Sequence, residues 1–289
     1  MKTFLCKLLI TFSVALFFAS CKTSPAPSSA ALKFISIEAH DTAKMNLNYE
    51  VSVRNPDSKA ALNPDDFSVA GWSAAVNETE VKNGISLAAL PGEKTMSLRI
   101  EIDVPALIAE GVPVRDDFTV DLMLDLLCNS TSNSTGKKSA PPVLIQARET
   151  AVFPYIREPV FSITEIAILK ADLVNTRFRV TITIDNPNNF PVELSSLEYE
   201  LYGNKLLWAE GRERNSITVP EKSSYQGNHF LTMNFINMKR DLLDQIIRLD
   251  DVNYRFSGKA FVGTGVEYLP RFSTEFNLSG YSKVLDASK

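Results

Sequence analysis

Apolar and polar residues alternate strictly in two long segments that lie far apart along the chain. In residues 45–54 every odd-numbered residue is apolar, and in residues 177–185 the apolar residues occupy the even-numbered positions. An alternation of period two over nine or ten residues predicts an antiparallel strand with one buried face and one solvated face.

Both of these strands are predicted to end in the same way, at Asn55-Pro56 and at Asn186-Pro187. A proline cannot donate a further ladder bond and holds the residue before it in an extended conformation. The asparagine side chain can bond the backbone two residues further on. Asn55, Pro56, Asn186 and Pro187 are therefore predicted to form a structural motif that stops each strand.

The two strands belong to a longer unit that occurs twice in the chain. A spacing of 131 residues superimposes Ile35 and Ile37 on Ile166 and Ile168. After the Asn-Pro pair the spacing falls by one residue, and it pairs Phe67 with Leu197. A repeat period near 130 residues indicates a tandem duplication of a domain and not a solenoid.

Each half contains roughly seven short apolar or alternating segments with turn signals between them, and this pattern predicts an antiparallel β-sandwich. The fold class that we expect is all-β, with two tandem immunoglobulin-like or fibronectin type III-like sandwiches and one short helix in each. The helices are predicted at residues 105–110 and 237–249. We expect the first sandwich to span residues 32–156 and the second to span residues 157–289, with the join near residues 154–159.

The N-terminal segment predicts export and a lipid anchor. A short basic stretch precedes an apolar run at residues 8–18, which is too short to cross about 30 Å of hydrocarbon but has the layout of a cleaved signal peptide. The sequence Phe18-Ala19-Ser20-Cys21 resembles a bacterial lipobox. We therefore predict a lipoprotein signal peptide over residues 1–20, lipidation at Cys21 and a flexible Pro/Ser/Ala linker over residues 21–31. An ordinary signal peptide with an incidental cysteine is the alternative.

Composition argues against several classes of function. The 289 residues carry 30 Lys and Arg against 34 Asp and Glu, a net charge of −4 that disfavours a nucleic-acid partner. The two histidines, His40 and His229, lack a second ligand at metal-binding spacing, and no serine nucleophile motif occurs. We expect both histidines at the surface, and we expect no catalytic residue, metal or cofactor. Cys128 is predicted to be an incidental, half-buried thiol without a disulfide partner.

The order of the predicted elements resembles the late embryogenesis abundant group-two domain, also called the water stress and hypersensitive response domain. The second half carries the resemblance best, in Asp185-Asn186-Pro187-Asn188-Asn189-Phe190-Pro191-Val192, and the first half keeps Arg54-Asn55-Pro56-Asp57. The resemblance covers about residues 32–281. It implies a sandwich of the fibronectin type III sort with one helix, no catalytic residues, a link to desiccation and stress tolerance and, for some members, lipid binding.

These observations lead to three functional hypotheses. The first is a membrane-anchored, exported lipoprotein that acts as a non-enzymatic binding or stress-protective module, held in the bacterial cell envelope by its acyl chains. Lys22 favours the outer membrane or the cell surface, because an acidic residue there often retains lipoproteins at the inner membrane. The second is a carrier of lipid or another apolar ligand, with the helix at 237–249 as a lid. The third is a surface adhesin or assembly subunit that uses a polar loop at 128–142. The sequence does not identify which lipid or protein would be the ligand.

Overall fold

The structure is a computed structural model that describes residues 29–54, 64–91, 95–128, 142–170, 175–234, 252–282 and 284–286. These residues form seventeen β-strands, one short α-helix and one 3-10 turn. Within them, no helix has the length and the apolar character that a membrane-spanning segment needs. Four of the sequence predictions fall largely or wholly outside the described residues: Cys21, the pair Asn55-Pro56, the polar loop and the helix at 237–249.

The first half of the chain forms two four-stranded antiparallel sheets. Its strands are β1 (Ser29–Ala39), β2 (Lys44–Arg54), β3 (Phe67–Val76), β4 (Thr79–Val81), β5 (Ile85–Pro91), β6 (Met96–Asp103), β7 (Asp117–Cys128) and β8 (Val143–Pro154). One sheet has the strand order β1-β2-β6-β5 and the other has the order β4-β3-β7-β8. The 3-10 turn at Pro64–Asp66 leads into β3.

The short helix α1 (Val104–Ala109) connects β6 to β7, where a helix was predicted at residues 105–110. Asp103 caps it, because its Oδ1 accepts a hydrogen bond of 3.1 Å from the backbone N–H of Ala106. Pro105 occupies the first turn, where its missing N–H costs nothing. The helix predicted in the first half is therefore confirmed.

The second half forms two further sheets. Its strands are β9 (Val160–Lys170), β10 (Asn175–Asp185), β11 (Val192–Gly203), β12 (Leu206–Glu213), β13 (Ile217–Val219), β14 (Ser224–Asn234), β15 (Val252–Gly263), β16 (Arg271–Ser282) and β17 (Val284–Asp286). One sheet has the order β14-β10-β9-β17, in which β17 lies parallel to β9. The other has the order β12-β11-β15-β16, with β13 paired to β11.

The strand order repeats between the two halves. The order β1-β2-β6 in the first half corresponds to β9-β10-β14 in the second, and β4-β3-β7-β8 corresponds to β12-β11-β15-β16. The two halves differ at opposite edges of these corresponding sheets: β5 extends the first half beyond β6, whereas β17 extends the second half beyond β9, the counterpart of β1. This agreement is what the repeated alternating segments of the sequence predict.

The buried side chains form two separate hydrophobic clusters, one in each half. The first contains Leu47 from one sheet and Leu124 from the other, and the second contains Ile182 and Phe256 from opposite sheets. All four side chains are at most 1% exposed. Because each cluster lies between two sheets, each half is a β-sandwich, and the all-β fold class is confirmed.

Two local predictions are wrong. Residues 29–31 were assigned to the linker, but they belong to β1, in which Ser29 pairs with Arg54. The prediction that Ile35 corresponds to the buried Ile166 fails because β1 has an irregularity between Phe34 and Ser36. Such a bulge shifts the alternation by one residue, so Phe34 packs against the core and Ile35 is 49% exposed.

Candidate functional site

The Asn-Pro motif of the second half lies at the end of β10, where Asn186 is buried with 3% of its surface exposed. Its side-chain amide donates to the carbonyl oxygens of Phe190, Val219 and Pro220 at 2.8, 3.2 and 3.0 Å. Its Oδ1 accepts from the backbone N–H of Asn188 at 3.0 Å, which is the bond across two residues that the sequence predicts. Asn186 therefore joins the end of β10 to the turn that follows β13.

Asn188, two residues after Asn186, connects the motif to the join between the two halves. Its side chain is completely buried, and its Oδ1 accepts from the backbone N–H of Arg157 at 2.8 Å. Its amide donates to the carbonyl oxygen of Arg157 at 2.9 Å and to Asn186 Oδ1 at 2.9 Å. Asn188 thus satisfies both backbone polar groups of one residue in the connecting segment. The role of Asn188 was not predicted, although the triplet Asn186-Pro187-Asn188 in the sequence was a signal for it.

Charged side chains surround this join. Asp116, in the segment between α1 and β7, forms ion pairs with Arg157 and with Lys222, whose Nζ lies 2.5 Å from Asp116 Oδ1. The Lys222 ammonium also donates to the carbonyl oxygen of Pro187 at 2.9 Å, so the predicted motif proline contacts the same group. Hydrogen bonds from Lys222 and then from Arg157 lower the pKa of the Asp116 carboxyl below its ordinary value.

Glu158 and Tyr268 add contacts between the two halves. The two carboxylate oxygens of Glu158 accept from Thr42 at 3.2 Å and from Thr274 at 2.6 Å. The Tyr268 hydroxyl donates to the carbonyl oxygen of Pro154 at 2.5 Å, and its ring meets Phe153 edge-on. We call Asp116, residues 154–158, Asn188 and Lys222 the junction. These contacts satisfy backbone polar groups of the connecting segment and join the two halves.

Asp116→Asn should weaken the junction in a pH-dependent way. The pKa of Asp116 is lowered in the folded chain, so the stability that it contributes is complete above its ordinary pKa of about 3.9 and is lost as the pH falls through the lowered value. We expect thermal denaturation at several pH values to show a constant deficit of the variant above about pH 5 that shrinks below about pH 4. Asp117→Asn is the matched control, and an equal deficit in the control would contradict the assignment.

The two histidines do not form a catalytic site with each other. His40 is exposed in the turn between β1 and β2, as predicted, whereas the prediction that His229 lies at the surface is wrong. His229 on β14 is 6% exposed, it meets the Tyr199 ring edge-on, and burial lowers its pKa. The prediction followed from the lack of a metal-binding or catalytic partner, which does not determine burial, and it is the adjacent Phe230 that faces outward beneath the Arg177 guanidinium.

Cys128 lies at the end of β7 and is 5% exposed, more deeply buried than predicted. Burial raises the pKa of its thiol, which disfavours the reactive thiolate. Among the described residues, no three His, Cys, Asp or Glu side chains come close enough together to hold a metal ion.

The outer face of the sheet β12-β11-β15-β16 carries an open depression of about 640 Å³. It is lined mainly by charged residues, among them Glu198, Arg212, Lys259 and Glu275. Glu198 forms ion pairs with Arg212 at 3.5 Å and with Lys259 at 3.2 Å. We call this surface the charged face.

Comparisons with known proteins place a family match in the second half. Residues 181–271 match the family model of late embryogenesis abundant proteins, group two. The match includes the Asn186-Pro187 motif and strands β11 to β15, so the chain contains one domain similar to this family. No curated protein gives a significant match. The equivalent resemblance of the first half remains a prediction.

Solved structures with similarity to the chain include a protein from Archaeoglobus fulgidus and two titin fragments. The first is 19% identical, covers 45% of this chain and 99% of its own, and has a TM-score of 0.26. The I9–I11 tandem is 14% identical with a TM-score of 0.24, and the match covers 89% of this chain and 66% of that chain. The I67–I69 fragment is 15% identical with a TM-score of 0.27, and the match covers 91% of this chain and 67% of that chain.

Proposed function

We propose that this chain is an exported lipoprotein, anchored in the bacterial cell envelope through Cys21, that acts as a non-enzymatic binding or stress-protective module. The observation that carries the binding or protective role is the match of residues 181–271 to late embryogenesis abundant proteins. The anchor is proposed from the sequence Phe18-Ala19-Ser20-Cys21 alone. The buried motif supports it, because Asn186 and Asn188 have structural partners and no solvent-facing chemistry.

The position of the first strand is consistent with a tethered body. β1 begins at Ser29, eight residues after Cys21. Eight extended residues reach at most about 28 Å, so an acylated Cys21 would hold the first sandwich within that distance of the lipid surface. Removal of residues 1–20 also removes two lysines, which changes the net charge from −4 to −6, and an acidic body is weakly repelled by anionic lipid. Anchoring would then depend on the acyl chains.

Metabolic labelling with palmitate tests the anchor. We expect the wild-type chain to carry label and to partition into detergent, and we expect Cys21→Ser to lose both properties, because no other residue takes the thioether-linked lipid. Cys128→Ser is the matched control, since its thiol is buried and it should label like the wild type. An unlabelled wild-type product would contradict the anchor, and it would leave the protective role to be judged separately.

Protection of a labile enzyme during drying or freezing tests the molecular role. We expect an enzyme that is dried with the full chain to keep more activity than one dried with an equal mass of serum albumin. Heat-unfolded chain is the control, because a role of the folded sandwiches requires them to be intact. Protection no better than that by albumin would contradict the protective role. Lipid found by native mass spectrometry in the purified chain would favour the carrier alternative instead.

A further inference from the structure

A row of four charged residues crosses the charged face, one on each of its four strands. In the register of the sheet Arg212 on β12 pairs with Glu198 on β11, Glu198 pairs with Lys259 on β15, and Lys259 pairs with Glu275 on β16. The charges therefore alternate as plus, minus, plus, minus across the sheet. Within the part of the chain that the structure describes, Glu275 forms no ion pair, and it is exposed to solvent.

The neighbouring rows on the same face are mixed in character. The adjacent row runs Glu210, Glu200, Ser257, Asn277, and in the proposed pairing described below its two glutamates face uncharged residues. The row after it runs Leu207, Tyr202, Arg255, Ser279, and the Arg255 guanidinium lies 4.0 Å from the centre of the Tyr202 ring. Large apolar or aromatic side chains are exposed on this face at Leu207 (45%), Phe261 (45%) and Tyr281 (65%). Exposed rings beside paired charges are typical of a surface that meets another protein.

We propose that the charged face binds a second copy of this chain, with a two-fold axis that lies in the interface parallel to the strands and midway between β11 and β15. Such an axis exchanges β11 with β15 and β12 with β16. The row plus, minus, plus, minus then faces the same row reversed, so every charge meets its opposite. Arg212 meets Glu275 of the second copy, and Glu198 meets Lys259 of the second copy. An isologous contact requires self-complementarity of this kind.

The charges also favour a two-fold axis parallel to the strands over an in-plane axis perpendicular to them. An in-plane axis perpendicular to the strands, passing through Ser257, would place Arg255 of one copy against Lys259 of the other. Like charges that face each other across an interface oppose association. With the axis parallel to the strands, Arg255 instead meets the Tyr202 ring of the second copy, which is a favourable cation–π contact. Sheets that pack face to face keep their strands within about 30° of each other, so the rows stay approximately aligned.

The size of the face indicates a weak dimer. Four strands about 4.8 Å apart and about eight residues long cover roughly 500 Å² per copy. About 1,000 Å² in total is the lower limit for a specific interface, so we expect a dissociation constant in the micromolar range or weaker.

The proposed axis is compatible with attachment of both copies to one membrane. Rotation about an axis keeps the two copies of every residue at the same height along that axis, so the two N-terminal anchors could enter one membrane. The dimer itself does not depend on the anchor.

Sedimentation velocity of the full chain in a density-matched nonionic detergent tests this interface. We expect the wild type to dimerise with rising concentration and to dissociate when the sodium chloride concentration is raised about tenfold from a low-salt buffer, because salt screens exposed charge pairs. Arg212→Glu and Glu275→Arg should each weaken the dimer by about tenfold or more, since each creates two like-charge contacts in the symmetric pair. Circular dichroism checks that each variant is folded. If Glu275→Arg does not fold, Glu275→Gln replaces it as a milder variant that removes the same charge.

Mixing the two single variants is the most specific step. In the mixed pair the glutamate introduced at position 212 of one chain faces the arginine introduced at position 275 of the other. The native Glu275 of the first chain faces the native Arg212 of the second, so we expect the affinity of the wild type to return. The double variant Arg212→Glu/Glu275→Arg should also dimerise by itself.

Arg214→Glu and Glu267→Arg are charge-matched controls away from the row, and they should dimerise normally. A monomer at every concentration, controls as weak as the single variants, or a mixture that stays dissociated would each overturn the proposal.

Discussion

Asn186→Ala should lower the free energy of unfolding by about 2–4 kcal/mol. The side chain bonds the carbonyl oxygen of Val219 and the backbone N–H of Asn188, and Val219 and Asn188 are both 0% exposed. A buried backbone group that loses its partner costs about 1–3 kcal/mol, and alanine offers neither a donor nor an acceptor. Because a domain of this kind has only about 5–15 kcal/mol of total stability, the loss is a large share of it.

Urea denaturation followed by tryptophan fluorescence measures this effect. Trp208 lies in the core of the second half and is 2% exposed, so in a Trp72→Phe background its emission reports on that half alone. Asn277→Ala is the matched control, because Asn277 is exposed on β16 and surface substitutions usually change stability by less than about 0.5 kcal/mol. Equal midpoints for the two variants would contradict the structural role of the motif.

The strands could be predicted from the sequence because the alternation of period two is local information. The segments at 45–54 and 177–185 correspond to β2 and β10, and the end of β10 at Asp185, just before Asn186-Pro187, follows from proline geometry. The repeat of these signals also predicted a tandem duplication, and the two halves share most of their strand order. Local patterns therefore determined which segments are strands and which of their faces are buried.

Contacts between distant segments could not be predicted in this way. The partner of Asn188 is Arg157, thirty-one residues away, and the partner of Asp116 is Lys222, more than one hundred residues away. No period or spacing encodes such a pair, because the pair exists only once both sandwiches have formed. The same reason explains His229, whose burial depends on the facing sheet and on Tyr199.

The steric role of Gly258 could not be predicted from the sequence either. Gly258 on β15 lies beneath the Phe276 ring of the neighbouring strand. A Cβ atom placed there would lie 2.3 Å from the carbonyl oxygen of Glu198 and 2.4 Å from the Phe276 ring. Such distances are far below van der Waals contact, so backbone or ring must move. The absence of a side chain at residue 258 therefore allows the aromatic packing of this sheet.

Gly258→Ala should accordingly lower the free energy of unfolding by about 1–3 kcal/mol, the usual cost of overpacking a well-filled core. The same strand provides a matched control in Gly263→Ala, where the nearest atom to a new Cβ would be 3.6 Å away. There we expect no loss, or a gain of about 0.4–1 kcal/mol, because alanine restricts the unfolded chain more than glycine does. Urea midpoints measured through Trp208 compare the two variants directly. If both variants lost the same stability, the loss would not depend on the space around residue 258, and the steric role of Gly258 would be wrong.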